Sequence, residues 1–206
     1  MLKSFFSKQA RRPSGFFGRI VASRIFERRN AALNNAMLEL VAASGKDNIL
    51  EIGFGNGRTI YSMANSLNGG VVEGIDFSDA MMVVATKKNG AHIQSGTVKL
   101  VHGDFDVTNY EPLSFDTICT ANTIYFWPDR THTVNRIYQA LKPGGRFVLA
   151  YIDKSKMKDM PVDNNIFFPI SRAEIKGLLK EVGFSNIYFH SASDEHPFML
   201  CVEAIK

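Results

Sequence analysis

Two hydrophobic periods alternate along most of this chain. Short apolar runs bounded by turn formers recur at residues 49–52, 71–76, 98–102, 114–121 and 146–152. Each is predicted to be a strand, and runs this apolar suit strands buried on both faces. Other stretches carry apolar residues at helical spacing. Residues 30–43 place Leu33, Met37, Leu40 and Val41 on one face, 58–67 place Ile60, Met63, Ala64 and Leu67, and 129–142 place Val134, Ile137, Tyr138 and Leu141. Residues 79–88 form a further helix with Ser78 as its N-cap, and residues 18–28 read as one nearer the start. Stop signals close these helices at Ser44-Gly45, Asn68-Gly69-Gly70, Asn89-Gly90 and Pro143-Gly144-Gly145. No helix is predicted between the third and fourth strands. Ser171 and Glu174 make a capping box for a helix striped with Ile175, Leu178, Leu179 and Val182 and ended by Gly183. Two strands, 184–190 and 198–205, then follow in succession across a short polar turn, which makes them an antiparallel pair.

Strands alternating with helices mean an α/β fold, a mostly parallel sheet covered on both faces with an antiparallel final strand. Such sheets bind ligands outside the carboxyl ends of their strands, at the point where strand order reverses. Glu51 with the glycine-rich loop after it, Asp76, Asp104 and Asn122 all fall at predicted carboxyl ends. That coincidence nominates a site.

Composition narrows the class without changing the picture. A chain of 206 residues with 45% hydrophobic and 21% charged residues suits one ordinary globular domain. It has no apolar run of the roughly 20 residues a membrane span needs, and no secretory leader, so a cytoplasmic location is the default expectation. Cys119 and Cys201 sit inside apolar runs and read as reduced core residues. Charge is uneven: residues 1–30 hold eight of the 24 Lys and Arg but one of the 20 acids, a balance of +7 there and −3 over the rest. This basic arm suits an anionic partner such as nucleic acid, a lipid surface or an acidic substrate; it equally suits a solvated surface helix or, being acid-poor, a transit peptide.

The loop itself, Gly53-Phe54-Gly55-Asn56-Gly57, lets the backbone turn sharply and approach a ligand. A nicotinamide dinucleotide needs Gly-x-Gly-x-x-Gly, and counting from Gly53 or Gly55 puts Arg58 or Ile60 at the last position, so that fingerprint fails. A smaller group with an amino-acid moiety fits an alternating glycine loop after an acidic strand residue. In fact residues 50–57, 72–78, 103–105, 115–118 and 141–145 resemble, in order, five motifs of the class I S-adenosylmethionine-dependent methyltransferases. The resemblance covers about residues 46–152, and the closing strand pair is similar to that family's hairpin. It implies a Rossmann-like seven-stranded sheet, with S-adenosylmethionine as cofactor and S-adenosylhomocysteine as product. It also divides the chain into a basic helical arm and cap, residues 1–45, and a single cofactor-binding unit, residues 46–206.

The resemblance further implies cofactor contacts from Glu51, Gly53, Phe54, Gly55, Gly57, Asp76, Phe77, Asp104, Phe105 and Asn122. Asp76 would accept from both ribose hydroxyls, Asp104 from the adenine amino group, Phe77 and Phe105 would bound the adenine, and Glu51 would lie near the ammonium. Methyl transfer from a sulfonium is an in-line displacement in which the protein mainly positions and desolvates. A hydroxyl acceptor would want a base, for which Tyr125 and His132 are the candidates. Residues 121–128 lack the double proline found after Asn or Asp in members that methylate planar nitrogens, and Asp153 alone does not make a metal cluster. The residues around Tyr125, Phe126 and Trp127, with Met157, Met160, Phe167 and Phe168, suit a small organic acceptor that is apolar, aromatic or anionic. RNA or protein as acceptor is the alternative, and a binding module without turnover is the second.

Overall fold

A computed structural model describes residues 2–15, 30–157, 160 and 162–206. Seven strands form one sheet: β1 Asn48–Ile52, β2 Val71–Asp76, β3 Val98–His102, β4 Phe115–Ala121, β5 Leu141–Ile152, β6 Ser185–Ser191 and β7 Met199–Ile205. Their order across the sheet is β3-β2-β1-β4-β5-β7-β6. The first five are parallel, and β7 runs antiparallel to both β5 and β6. Strand order reverses at β1, which pairs with β2 on one side (Ile52 opposite Ile75) and β4 on the other (Ile52 opposite Thr120).

The period of two along each strand sorts its residues between two cores. Ile49, Val72, Cys119, Val148 and Cys201 face α2 (Ala31–Val41) and α3 (Arg58–Ser66), whose Leu33, Met37, Val41, Ile60 and Met63 are buried against them. Leu50, Ile52, Ile118, Phe147 and Leu149 face α6 (Arg130–Ala140) and α7 (Arg172–Val182) through Val134, Ile137, Ile175 and Leu179. Glu51 shares the face of Ile49, so its carboxylate enters the layer between β1 and α3. Helix α2 is fastened where its last residue gives way to a left-handed Ala42 (φ 44°). There the Arg146 guanidinium donates to the Leu40 and Val41 carbonyls at 3.0 and 2.7 Å and to Glu203 at 3.2 Å.

Most predicted elements are present within a residue or two. Ser78 accepts from the Met81 amide at the start of α4 (Asp79–Lys88), and the Ser171–Glu174 capping box is complete. The differences have local causes. Strand β5 starts at Leu141 rather than Arg146, because Leu141 pairs with Phe115 and the turn at Pro143-Gly144-Gly145 is absorbed as a register shift. Asn89 does not end the chain's helical course; a short helix, α5 (Gly90–Gln94), follows it. Near the start, α1 (Leu2–Arg11) is a helix that the periodicity did not announce. The helix expected at residues 18–28 lies outside the described residues. Among the described residues no helix is long and apolar enough to cross a membrane.

Candidate functional site

The turn after β1 is built from backbone. Gly53, Gly55 and Gly57 have φ of 74°, 54° and 69°, a left-handed region that side chains with a Cβ enter at a cost. At two of them space is also closed. A Cβ on Gly53 would stand 2.5 Å from Thr123 Cγ2, and one on Gly57 would stand 2.7 Å from Ala85 Cβ and Asn89 Nδ2. At Gly55 nothing lies within 4 Å of that point, so the space beside the loop is open there. Phe54 sends its ring the other way, into the core against Gly74, which leaves only its backbone at the loop. Asn89 pins the far end: its Nδ2 donates to the Gly57 carbonyl at 3.0 Å.

Two acids flank this turn at the ends of adjacent strands. Glu51 is 2% exposed, and the single hydroxyl of Thr59, on the first turn of α3, lies 2.6 and 2.7 Å from its two oxygens. Burial dominates: it pushes the Glu51 carboxyl up to about 8, against the Thr59 hydrogen bond, with Asp76 adding repulsion. Asp76 accepts from the Ser78 amide on one oxygen and the Gly55 amide on the other, each at 2.9 Å. Burial raises its pKa too, opposed by those two amides, His102 and Arg12. Two desolvated carboxylates with few donors make a place for cations and hydroxyl groups. Asp104 is exposed after β3, its Oδ1 accepting from the Asp106 amide at 3.0 Å. Phe105 is buried under the Arg136 guanidinium (5.5 Å) and beside Tyr110, whereas Phe77 is half-buried beneath Arg12 at 5.8 Å.

Beyond β4 the chemistry changes. Asn122 takes a left-handed φ of 58°, held by its amide donating to the Ala150 carbonyl at 2.9 Å. Its Nδ2 is buried with no hydrogen-bond partner, an unanswered donor at the strand end. Its Oδ1 accepts from the Tyr125 hydroxyl at 3.2 Å. That hydroxyl also bonds the backbone of Ile152, and burial pushes its pKa far up. As placed, Tyr125 braces β4 against β5 and is a poor proton acceptor. His132 is exposed on the first turn of α6, where its backbone amide is capped by Asp129 at 2.9 Å. Around Tyr125 the rings of Phe126 and Phe167 close an aromatic cluster, with centroids 4.7 Å apart between the latter two and 5.8 Å from Tyr125 to Phe167. Among the described residues no three metal-binding side chains come together.

Helix α1 spans these two halves. The Asp163 amide, after β5, donates to Ser7 Oγ at 2.9 Å, and Ser78 Oγ, after β2, donates to the Pro13 carbonyl at 2.5 Å. Strands β1 and β4 lie between those anchors, so the segment roofs the glycine turn and Asn122. Thr59 and Ser7 were not singled out by sequence, and Asn89 and Arg12 were read only as a helix stop and as part of the basic arm; the role each has at the site comes from a distant partner.

Comparison with known proteins agrees with this geometry. Residues 50–149 match the family described as Methyltransferase domain. The chain is 29% identical over 127 residues to an uncharacterised methyltransferase of Bacillus subtilis, covering 62% of this chain and 68% of that protein. It is 31% identical over 144 residues to phosphoethanolamine N-methyltransferase 2 of Caenorhabditis elegans, covering 68% of this chain but spanning only 32% of that protein. The solved structure of the Haemonchus contortus phosphoethanolamine N-methyltransferase 2 with S-adenosyl-L-methionine superposes with a TM-score of 0.75 at 18% identity, over 98% of this chain and 60% of that one. With five motifs in order, the glycine turn and the seven-stranded topology, residues 50–149 form a methyltransferase domain of the class I S-adenosylmethionine-dependent family.

Proposed function

We propose that this protein moves the methyl group of S-adenosylmethionine to a small organic acceptor bound between Asn122, the aromatic cluster and the α1 roof. The observation that carries the reading is the double anchoring of the segment from α1 to Pro13, held at Asp163 through Ser7 and at Ser78 through Pro13, which lays it across the strand ends and suits a small acceptor better than a folded macromolecule.

The residues fit the cofactor. The open space at Gly55 would accommodate a ligand against bare backbone. Glu51, with one hydroxyl for two buried oxygens, is matched by an ammonium, which would draw its carboxyl back to the charged form. Asp76, oriented by the amides of Gly55 and Ser78, keeps a lone pair on each oxygen for the ribose hydroxyls. Phe77 and Asp104 would bound the adenine, whereas Phe105 and Phe54 support the pocket from within the core. When bound, S-adenosylmethionine supplies an electrophilic methyl group and a neutral thioether leaving group. The protein's part is to hold the acceptor in line and exclude water. Asn122 Nδ2 is the donor placed to orient a polar group of the acceptor. With Tyr125 engaged as a brace and His132 exposed, an acceptor nitrogen or activated carbon that needs no side-chain base fits best.

The test is a labelled-methyl transfer screen across separate metabolite, RNA and protein pools, with calorimetry of S-adenosylmethionine and S-adenosylhomocysteine. Label in a metabolite fraction supports the proposal. Label confined to RNA or protein replaces it with a macromolecular acceptor. Saturable cofactor binding with no transfer to any pool would leave a binding module.

A further inference from the structure

Three phenylalanines stand nearly half exposed among the described residues, and all three lie on the segments over the strand ends that form the site. Phe5 and Phe6 on α1 are each 46% exposed, and Phe168, five residues beyond the Asp163 that holds Ser7, is 49% exposed. Among the described side chains of α1, Ala10 packs on the core. The helix's Ser7 and Gln9 are buried, while its aromatic residues and Lys8 and Arg11 face outward. It contains no acid, and Arg12 continues the run of cations. Exposed Lys154 and Lys156, just after β5, add cations at the strand end where Ser7 is anchored, Lys156 lying over the Phe198 ring at 5.2 Å. The acids facing these cations offset only part of their charge: Asp79 lies 3.7 Å from Arg12, Glu174 lies 3.4 Å from Lys154, and Asp163 sits at the Ser7 anchor near Lys8.

Aromatic side chains ringed by cations match the headgroup region of an anionic bilayer, where rings enter the acyl boundary and ammonium and guanidinium groups meet lipid phosphates. Single-stranded RNA asks for something else, flat rings offered as stacking platforms. Phe5 and Phe6 pack edge to face at 5.8 Å and 74°, which presents no parallel faces for successive bases. We propose that the roof, through Phe5, Phe6 and Phe168 with Lys8 and Arg11, docks this protein on an anionic lipid surface with the mouth of its site toward the bilayer. Docking does not depend on which acceptor is methylated.

Co-sedimentation of the full chain with vesicles tests this. Vesicles of phosphatidylcholine mixed equally with phosphatidylglycerol should retain the protein, and vesicles of phosphatidylcholine alone should not. Replacing Lys8 and Arg11 together by Ala should lower partitioning about 30-fold at low salt. Phe5→Ser with Phe6→Ser and Phe168→Ser should abolish it, while cofactor binding by calorimetry stays at the wild-type value and certifies the fold. Failure to bind the anionic vesicles, equal binding to both vesicle types, or unaltered binding by these variants overturns the proposal. So does binding of single-stranded RNA that the same variants lose while vesicles are never retained.

Discussion

The two halves of the site are made of different material. On the side of β1 and β2 the ligand space is shaped by backbone: three left-handed glycines, the Gly55 and Ser78 amides on Asp76, and an acid inside a strand. On the side of β4 and β5 it is shaped by side chains on irregular segments: Asn122 in a left-handed turn, a braced Tyr125, and rings from residues 124–126 and from Phe167. A cofactor common to a whole family suits the first kind of construction, because backbone geometry survives change of side chains. An acceptor particular to one enzyme suits the second, because side chains on loops vary without disturbing the sheet.

The comparison can be broken experimentally. Asp76→Ala removes a carboxylate that two amides orient; we expect cofactor affinity to fall about 100-fold by calorimetry, and an unchanged affinity would sink the assignment of the β2 end. Gly55→Ala places a methyl group at φ 54° in the open space beside the turn. Cofactor affinity should fall by more than tenfold, with a stability loss of about 1–2 kcal/mol in denaturant titration from the backbone alone.

Glu51→Gln sharpens the electrostatic part. Burial raises the folded pKa from 4.5 to about 8, so the ligand-free protein holds a proton there that the unfolded chain has released. Stability from this residue is therefore greatest below the unfolded value and declines as pH rises toward 8. The Gln variant should show a flatter fall of Tm over that range and a higher Tm at pH 8, yet bind S-adenosylmethionine roughly tenfold more weakly. A variant with the wild-type slope would mean that Glu51 does not titrate in this window.

The smallest effect is expected in the other half. Tyr125→Phe cuts the brace between Asn122 and Ile152. It should leave cofactor affinity unchanged, cost about 1 kcal/mol of stability, and lower transfer only several-fold, without removing the basic limb of the pH–rate profile. Loss of that limb, or a collapse of activity at unaltered cofactor affinity, would restore Tyr125 as a proton acceptor.

Sequence alone determined the alternation of strands and helices, the glycine turn and the acids beside it. These are local properties: apolar period, cap chemistry and the conformational freedom of glycine act within a few residues of where they are written. It also determined the antiparallel end of the sheet, since a short connection permits nothing else. Tertiary structure decided whatever depends on a distant partner. Thr59 became the lone donor to Glu51, and Asn89 the clasp on Gly57, because α3 and α4 pack beside β1 and its turn. Arg146 reached the end of α2 across more than a hundred residues of chain. Residues 2–15 of a basic arm that permitted nucleic acid, lipid or plain solvent were laid across the site only when Ser78 and Asp163 took hold of them. No pattern along a chain records which surfaces its ends will cover, because that is settled by the folded shape.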